Sequence, residues 1–257
     1  MEQIQSFFPQ HLRPFRRNML REYLQFKILE AVFATDQGRL LAFLGGTAIH
    51  IVHGNQRFSE DLDFDSRDLS ADEFERMATA VRKALIREGY TVELSMSLGD
   101  AFRANIRFIG LLQDMGISGH REEKLLIHLN AEPQHVEYKP DRYMLNQFDV
   151  FCRITVVPAD ILLAQKILCI LERPRAIGRD FYDVIFLWGK TRPNADYLTR
   201  KTGIRNESEL WERLESRGKA LDLEKLASDL EPFVADPSEA RKVLLFREFI
   251  AMKRHAS

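Results

Sequence analysis

Apolar residues in the early part of the chain recur at intervals of three and four, the spacing that sets them on one face of a helix. In residues 16–34 this spacing relates apolar positions that include Leu20, Leu24, Ile28 and Val32. This spacing predicts an amphipathic helix over the segment. A second helix is predicted to begin at about Gly46 and to end at Gly54, because glycine commonly follows the last turn of a helix.

Further along, the period of the pattern changes from helix to strand and back. Residues 71–88 predict a helix in which Ser70 is the N-cap and Glu73 completes a capping box. Residues 61–65 alternate acidic and apolar side chains, as a half-buried strand does. Four later runs, rich in β-branched and aromatic residues, also predict strands: 90–97, 102–112, 124–130 and 148–157.

After Pro158 almost every segment has a helical pattern. The predicted helices cover 159–172, 179–189, 193–201, 207–218, 221–231 and 237–253. The sequence therefore predicts an α/β (α+β) core domain with a mixed sheet over residues 1–157 and a helical C-terminal domain over 158–257. Because no Gly/Ser-rich linker separates them, we expect the halves to pack together and the helical domain to complete an active-site cleft.

Composition excludes several classes of protein. Hydrophobic residues make up 45% of the chain and charged residues 29%, with no uninterrupted apolar run of the ~20 residues that a membrane helix needs. The N-terminal residues lack a secretory pattern, and Cys152 and Cys169 have neither metal-ligand spacing nor partners for a disulfide framework. These features predict a soluble, cytoplasmic protein. The net charge of −1 does not favour indiscriminate nucleic-acid binding, although basic clusters at 13–21, 173–179 and 190–205 could help to hold a polyanion.

The segment 44–65 holds the residues with the clearest chemistry. Gly45, Gly46 and Thr47 open a predicted helix, whose first backbone N–H groups and dipole suit an anion such as phosphate. Taken alone, two glycines before a helix more often form a tight turn. Arg57 and Ser59 follow and could reach phosphate oxygens; alternatively, Arg57 could form an ion pair with Glu60 or Asp61.

Asp61 and Asp63 lie on either side of Leu62 on a predicted strand, so both carboxylates point to the same face. Two close carboxylates repel each other unless a cation lies between them, and Mg²⁺ takes oxygen ligands while leaving positions for substrate phosphates. Asp65 continues this face and could be a further ligand or a solvated strand-end residue. Two aspartates separated by one residue are common in proteins. A glycine turn followed by such a pair would provide both a cradle for a triphosphate and the ligands for its metal ion.

The segment 44–65 resembles the signature of AbiEii/AbiGii-type nucleotidyltransferases, relatives of the DNA polymerase β fold. The helix before it and the stretch PADILLAQKILCILERPRAIGRDFYDVIFL also resemble that family, so that the match covers about 18–65 and 158–187. In the second stretch, Lys166 matches the family's lysine in a leucine-rich helix. Arg179, Asp180 and Asp183 match a basic-Asp-x-x-Asp motif that opens the next helix.

The resemblance implies transfer of a nucleoside monophosphate from a nucleoside triphosphate to a hydroxyl acceptor. Asp61 and Asp63 would hold Mg²⁺, and Gly45, Gly46 and Thr47 would cradle phosphates. Arg57, Ser59, Lys166, Arg179 and Asp183 would assist in nucleotide binding, and Asp180 would orient or deprotonate the acceptor. It further implies a toxin of a bacterial toxin–antitoxin or phage-defence system, acting on RNA such as tRNA and restrained by a cognate antitoxin protein.

Other interpretations of these residues remain open. Lys166 could extend its amine to the surface, Asp180 and Asp183 could cap their helix, and Asp183 could pair only with Arg179. Many polymerase-β-like enzymes carry a third metal-binding carboxylate on a later strand, where this sequence presents His128. The acceptor could instead be a small molecule or a protein, or the chain could be a catalytically degenerate nucleotide- or partner-binding module.

Overall fold

The computed structural model describes residues 1–255. The chain divides into two units. The first, called here the sheet unit, comprises Met1–Val52 and Phe58–Val157. The second, called here the helical unit, comprises the short segment His53–Arg57 and the chain from Pro158 onward.

A seven-stranded mixed sheet forms the centre of the sheet unit. Its strands are β1 (Ala42–Leu44), β2 (Leu62–Asp65), β3 (Val92–Leu98), β4 (Phe102–Phe108), β5 (Leu125–Glu132), β6 (Asp141–Gln147) and β7 (Val150–Val156). They are arranged in the order β3-β4-β5-β2-β1-β7-β6. Strand β2 pairs antiparallel with β1 and parallel with β5, so β2 occupies the middle of the sheet.

The helices of the sheet unit are α1 (Glu2–Gln5), α2 (Arg16–Phe33), α3 (Gly45–His53), whose last residue groups with the helical unit, α4 (Ala71–Arg87) and α5 (Leu111–Asp114). The predicted capping box of α4 is present, with both hydrogen bonds between Ser70 and Glu73. Strand residues alternate between a buried face, which packs in one core with α2 and α4, and a more polar face. On β5, for example, Ile127, Leu129 and Ala131 are buried, whereas His128 and Asn130 are half-buried.

The helical unit contains α6 (Ala159–Glu172), α7 (Gly178–Trp188), α8 (Ala195–Thr202), α9 (Glu207–Lys219), α10 (Leu223–Leu230), α11 (Pro237–Ala240) and α12 (Phe246–His255). Four of these helices begin at side-chain caps, where Asn194, Asn206, Asp222 and Asp236 accept hydrogen bonds from backbone N–H groups. Such caps supply partners for donors that the first turn of a helix leaves unpaired. Aromatic rings pack against each other in this unit, as where the ring centroids of Trp188 and Trp211 lie 4.7 Å apart.

The predicted mixed α/β class is confirmed, while several boundaries differ. Strands β1 and β6 were not predicted. The predicted strand over 102–112 ends at Phe108, because Gly110 adopts a left-handed conformation (φ 70°) and opens α5. The predicted helix over 237–253 is interrupted by a 3-10 turn between α11 and α12. None of the helices within residues 1–255 has both the length and the apolar character of a membrane span.

Candidate active site

The glycine turn lies directly against the carboxylate of Asp63. Gly45 is the first residue of α3, directly after β1, and has a φ of +79°. A Cβ atom at this position would lie 2.6 Å from Oδ2 of Asp63, closer than real Cβ contacts allow. Both the backbone conformation and the space therefore require glycine. The turn brings the start of α3 against the carboxylate of Asp63.

Thr47, in the first turn of α3, is completely buried, and its hydroxyl donates a hydrogen bond to the backbone carbonyl of Asp61. The hydroxyl thus ties α3 to the residue that enters β2. Gly46 and Ser59 are half-buried, and the Ser59 carbonyl accepts a hydrogen bond from Gln25 Nε2 at 3.1 Å. Side-chain and backbone contacts of this kind fix the path of the chain on both sides of Asp61.

Asp63 has one engaged oxygen and one open oxygen. Its Oδ1 accepts a hydrogen bond from Asn130 Nδ2 at 2.9 Å, whereas its Oδ2 accepts none from residues 1–255. The β2–β5 register pairs Asp63 with Asn130, so the residue beside Asp63 is Asn130 and not His128. His128 lies two residues earlier on the same face, where its Nδ1 contacts Asn105 Oδ1 at 2.6 Å.

Asp65 differs from Asp61 and Asp63 because it is buried, with 3% of its surface exposed. Its Oδ1 accepts backbone N–H bonds from Arg67 at 3.3 Å and Gln134 at 3.0 Å, and its Oδ2 accepts a hydrogen bond from Tyr138. These bonds occupy both oxygens, so Asp65 fastens the end of β2. It is not a solvated strand-end residue, and we do not include it among metal ligands.

The remaining pair, Asp61 and Asp63, suits a cation that takes most of its ligands from elsewhere. Both residues are half-buried and offer carboxylate oxygens. Within residues 1–255 there is no group of three or more His, Cys, Asp or Glu side chains able to hold a metal ion. Mg²⁺ is usually bound through one or two carboxylates together with substrate phosphates and water, so a pair of aspartates fits this mode of binding.

A buried ion-pair network lies in the helical unit. Arg57 is 2% exposed and makes a bidentate contact with Asp183, from Nε to Oδ1 at 2.7 Å and from Nη2 to Oδ2 at 2.6 Å. Asn55 Nδ2 adds a bond to Asp183 Oδ1 at 2.8 Å. Burial alone would raise the pKa of Asp183, but the charges of Arg57 and Lys166 lower it below its ordinary value. The carboxylate partner of Arg57 is therefore Asp183. The sequence had suggested Glu60, Asp61 or a substrate phosphate instead.

Lys166 projects from α6 between the two aspartates of α7. Its Nζ lies 2.9 Å from Asp180 Oδ1 and 3.0 Å from Asp183 Oδ2. Burial alone would lower the pKa of Lys166, but the carboxylates, Asp180 first, outweigh it and raise the pKa. The amine is not extended to the surface as in the alternative interpretation, since only 14% of the side chain is exposed.

Asp180 is less completely satisfied than Asp183. Its Oδ2 lies 3.1 Å from Arg173 Nη1 as an ion pair, yet this buried oxygen has no hydrogen bond of good geometry within residues 1–255. Arg179, which the sequence suggested as a partner for Asp183, has its guanidinium 4.2 Å from the centre of the Phe233 ring. Asp183 contacts Arg57 and Lys166 instead.

Several arginines of the first two basic clusters form ion pairs with carboxylates or donate hydrogen bonds to backbone carbonyls of the protein. In the first cluster, Arg16 donates to the carbonyls of Met115 and Gly116, and Arg21 lies 3.0 Å from Glu60. In the second cluster, Arg175 lies 3.9 Å from Asp229. Solvated charges with local partners contribute little to long-range attraction, so the clusters are weaker support for a polyanion site than their sequence suggests.

Comparison with known proteins connects this geometry to a family. The family model described as nucleotidyl transferase AbiEii toxin, type IV TA system, matches residues 27–251. The chain belongs to the AbiEii family. It is accordingly a nucleotidyltransferase, of a family of toxins in type IV toxin–antitoxin systems. The family and the enzyme class predicted from the sequence are thereby confirmed.

Solved structures agree on the fold of this AbiEii-family protein. A candidate nucleotidyltransferase from H. pylori has 18% sequence identity and a TM-score of 0.56, with 91% of this chain and 95% of that chain covered. JHP933 from Helicobacter pylori has 18% identity and a TM-score of 0.55, with 93% and 95% covered. No curated protein matches the chain significantly.

Three residues with clear roles in these sites were not singled out from the sequence. They are Asn130 beside Asp63, Arg103 beside Asn130, and Asn55 beside Asp183. Asn55 lies two residues before Arg57 in the segment already of interest. Asn130 and Arg103 could have been found only with the strand register in hand, because no local motif marks them.

Proposed function

We propose that this nucleotidyltransferase uses Mg²⁺ to move a nucleoside monophosphate from a nucleoside triphosphate to a hydroxyl of RNA, with tRNA as the acceptor class. The observation that carries the proposal is the contact of the glycine turn with Asp63 and the open Oδ2 of that residue. The biological setting that we propose is a cytoplasmic toxin of a toxin–antitoxin or phage-defence system, restrained by a cognate antitoxin.

In the reaction, the acceptor hydroxyl oxygen forms a bond to the α-phosphorus while the bond from that phosphorus to the bridging β-oxygen breaks. Pyrophosphate leaves, and the hydroxyl proton passes to a base. When bound by Asp61 and Asp63, Mg²⁺ would neutralise charge on the phosphate oxygens. The backbone N–H groups of Gly45 and Gly46, at the start of α3, face an anion favourably because the helix leaves them without internal partners.

The other predicted site residues receive different roles in this proposal. Thr47 acts through the carbonyl of Asp61, since its hydroxyl is engaged there. Arg57 and Asp183 hold each other, so we assign them to positioning rather than to phosphate contact. The family resemblance remains the basis for substrate contact by Lys166, Asp180, Arg179 and Ser59. Among these, Asp180 has the strongest structural support, because its Oδ2 retains hydrogen-bonding capacity.

The test is incubation of the purified protein with Mg²⁺, total bacterial RNA and each α-³²P-labelled nucleoside triphosphate in turn. We expect label to enter RNA, to favour one nucleotide, and to be lost in Asp63→Asn. Asp68→Asn is the matched control, because Asp68 is an exposed aspartate three residues after β2. Label found only in protein or in a small molecule would overturn the RNA acceptor. Absence of transfer to any acceptor would overturn the proposed reaction.

A further inference from the structure

Asn130 holds a position that organises the carboxylate of Asp63. The two residues are register partners on the neighbouring parallel strands β2 and β5. On the other side of Asn130, β4 contributes Arg103, whose Nε donates to Asn130 Oδ1 at 3.1 Å. A short chain of hydrogen bonds thus runs across three adjacent strands, from Arg103 through Asn130 to Asp63.

The direction of this chain is fixed by chemistry. A guanidinium has only donors, so the atom of Asn130 that faces Arg103 must be the amide oxygen. The NH₂ group of Asn130 then faces Asp63, which as a carboxylate has only acceptors. Neither contact would survive a reversal of the amide. Asn130 therefore holds Oδ1 of Asp63 in place, while Oδ2 remains open toward the glycine turn.

We infer that Asn130 is a positioning residue that orients Asp63 for a divalent cation and takes the place of a third carboxylate at this site. This inference rests on the proposed function, because it assumes that Asp61 and Asp63 hold the cation. Because the residue beside Asp63 on β5 is an amide, the carboxylate ligands in this proposal are Asp61 and Asp63. Hydrogen-bond partners that orient a metal ligand typically contribute a factor of ~10–100 to metal affinity.

The experiment measures binding of Mn²⁺ alone, without nucleotide, from the loss of the electron paramagnetic resonance signal of free Mn²⁺. For Asn130→Ala we expect affinity to fall by about 10–100-fold. The matched control is Asn146→Ala, because Asn146 is an exposed asparagine on the edge strand β6 of the same sheet. This control should bind Mn²⁺ as the unmodified protein does.

A second variant, Asn130→Asp, separates positioning from a purely structural role. It replaces the donor to Asp63 with another carboxylate, and two close carboxylates repel each other unless a cation lies between them. We expect its melting temperature to be lower than that of the unmodified protein without Mn²⁺, and to rise more when Mn²⁺ is added. A merely structural asparagine would give the first effect without the second.

The outcomes distinguish this inference from the proposed function. If Asp63→Asn binds Mn²⁺ as well as the unmodified protein does, the metal site itself is misplaced and the proposed function fails with it. If Asp63→Asn abolishes binding but Asn130→Ala leaves it unchanged, the metal site stands and the role of Asn130 is overturned. Equal metal-dependent stabilisation of Asn130→Asp and the unmodified protein would also overturn that role.

Discussion

Two pairs of aspartates, one at the start of β2 and one on α7, perform different tasks in this molecule although their residue types are the same. Asp61 and Asp63 are half-buried, and Asp63 accepts one hydrogen bond from the described residues, from a neutral amide. Asp180 and Asp183 are buried and surrounded by the cations Arg57, Lys166 and Arg173. Asp63 retains an oxygen that accepts no hydrogen bond from the described residues, whereas the charges of Asp180 and Asp183 are neutralised within the protein.

The groups around an aspartate thus decide whether it can bind a cation from outside or stabilises the fold. An aspartate such as Asp63, whose Oδ2 accepts no hydrogen bond from the described residues, is suited to an external cation. An aspartate in a saturated buried pair contributes to folding, and removing it leaves uncompensated cations behind. Asp180 is intermediate, because it is paired but retains an oxygen without a hydrogen bond.

The largest expected effect is the loss of transfer activity in Asp63→Asn. Removing this charge eliminates a metal ligand, and we expect a fall in kcat/KM of about 10³-fold, equivalent to ~4 kcal/mol of transition-state stabilisation. The free energy of unfolding should change by less than ~1 kcal/mol, because the lost charge has no buried cationic partner. Steady-state transfer kinetics and urea unfolding measure the two quantities. A strongly destabilised variant would contradict the contrast between the two pairs.

Asp183→Ala should instead lower mainly the stability of the protein. Arg57 and Lys166 would lose a buried carboxylate, so we expect the free energy of unfolding to fall by about 3–5 kcal/mol. Urea unfolding measures this change, and Asp196→Ala, at an exposed aspartate of α8, serves as the control. An unfolding free energy within ~1 kcal/mol of the unmodified protein would show that the network does not stabilise the helical unit.

The pH dependence of that destabilisation follows from the lowered pKa of Asp183. A carboxyl whose folded pKa lies below its unfolded value contributes stability above the unfolded pKa, about 4, and loses it as pH falls through the folded value. We therefore expect the stability difference between the unmodified protein and Asp183→Asn to be constant from about pH 5 to 8 and to shrink below about pH 4. A difference that instead grows on acidification would contradict the sign of this pKa shift.

Gly45→Ala tests the contact between the glycine turn and Asp63. Any alanine with positive φ costs roughly 1–2 kcal/mol, but here the added Cβ would also displace Oδ2 of Asp63. A displacement of about 1 Å in an active site can lower the rate of the reaction about 10²-fold. Gly54→Ala is the matched control, because Gly54 has a similar φ of +75° and no atom within 4 Å of its Cβ position.

We expect both glycine variants to lose similar stability and only Gly45→Ala to lose transfer activity. Thermal unfolding and transfer kinetics on the two variants measure these effects side by side. Equal activity of the two would mean that the close approach to Asp63 is irrelevant to the reaction. This comparison isolates geometry at the site from backbone strain, which the two positions share.

The sequence predicted elements whose hydrophobic period is long and uniform. Helices α2, α4 and α6 agree with the pattern within two residues, because each presents several turns of regular spacing. Strand β1 has only three residues, too few to show a period. Strand β6 is an edge strand rich in polar residues, and the turn that joins it to β7 contains Phe148 at a φ of +58°, where glycine or asparagine is usual. Tertiary packing explains that exception, because the Phe148 ring contacts four other aromatic rings.

The candidate site shows the same division between local and non-local information. Gly45 and Asp63 are recognisable from local motifs, since the glycine turn and the alternating aspartates lie within one short segment. The partners of these residues depend on how distant strands align, and a shift of the register by one residue would exchange which face each side chain occupies. Asn130 and not His128 stands beside Asp63 for this reason. Likewise, nothing in the sequence near Arg57 indicates that its partner is Asp183.

The smallest effect that we expect concerns Thr47, whose hydroxyl links α3 to the backbone at Asp61. Thr47→Val preserves shape but removes the donor, and a lost hydrogen bond of this kind is worth about 1 kcal/mol. If the bond holds Asp61 in position, transfer activity should fall about tenfold, which corresponds to ~1.4 kcal/mol. Thr47→Ser retains the hydroxyl and should keep activity within about threefold, although it loses a buried methyl group and hence ~1 kcal/mol of stability. Activity that follows stability in both variants, rather than the presence of the hydroxyl, would show that Thr47 supports the fold of α3 and not the placement of Asp61.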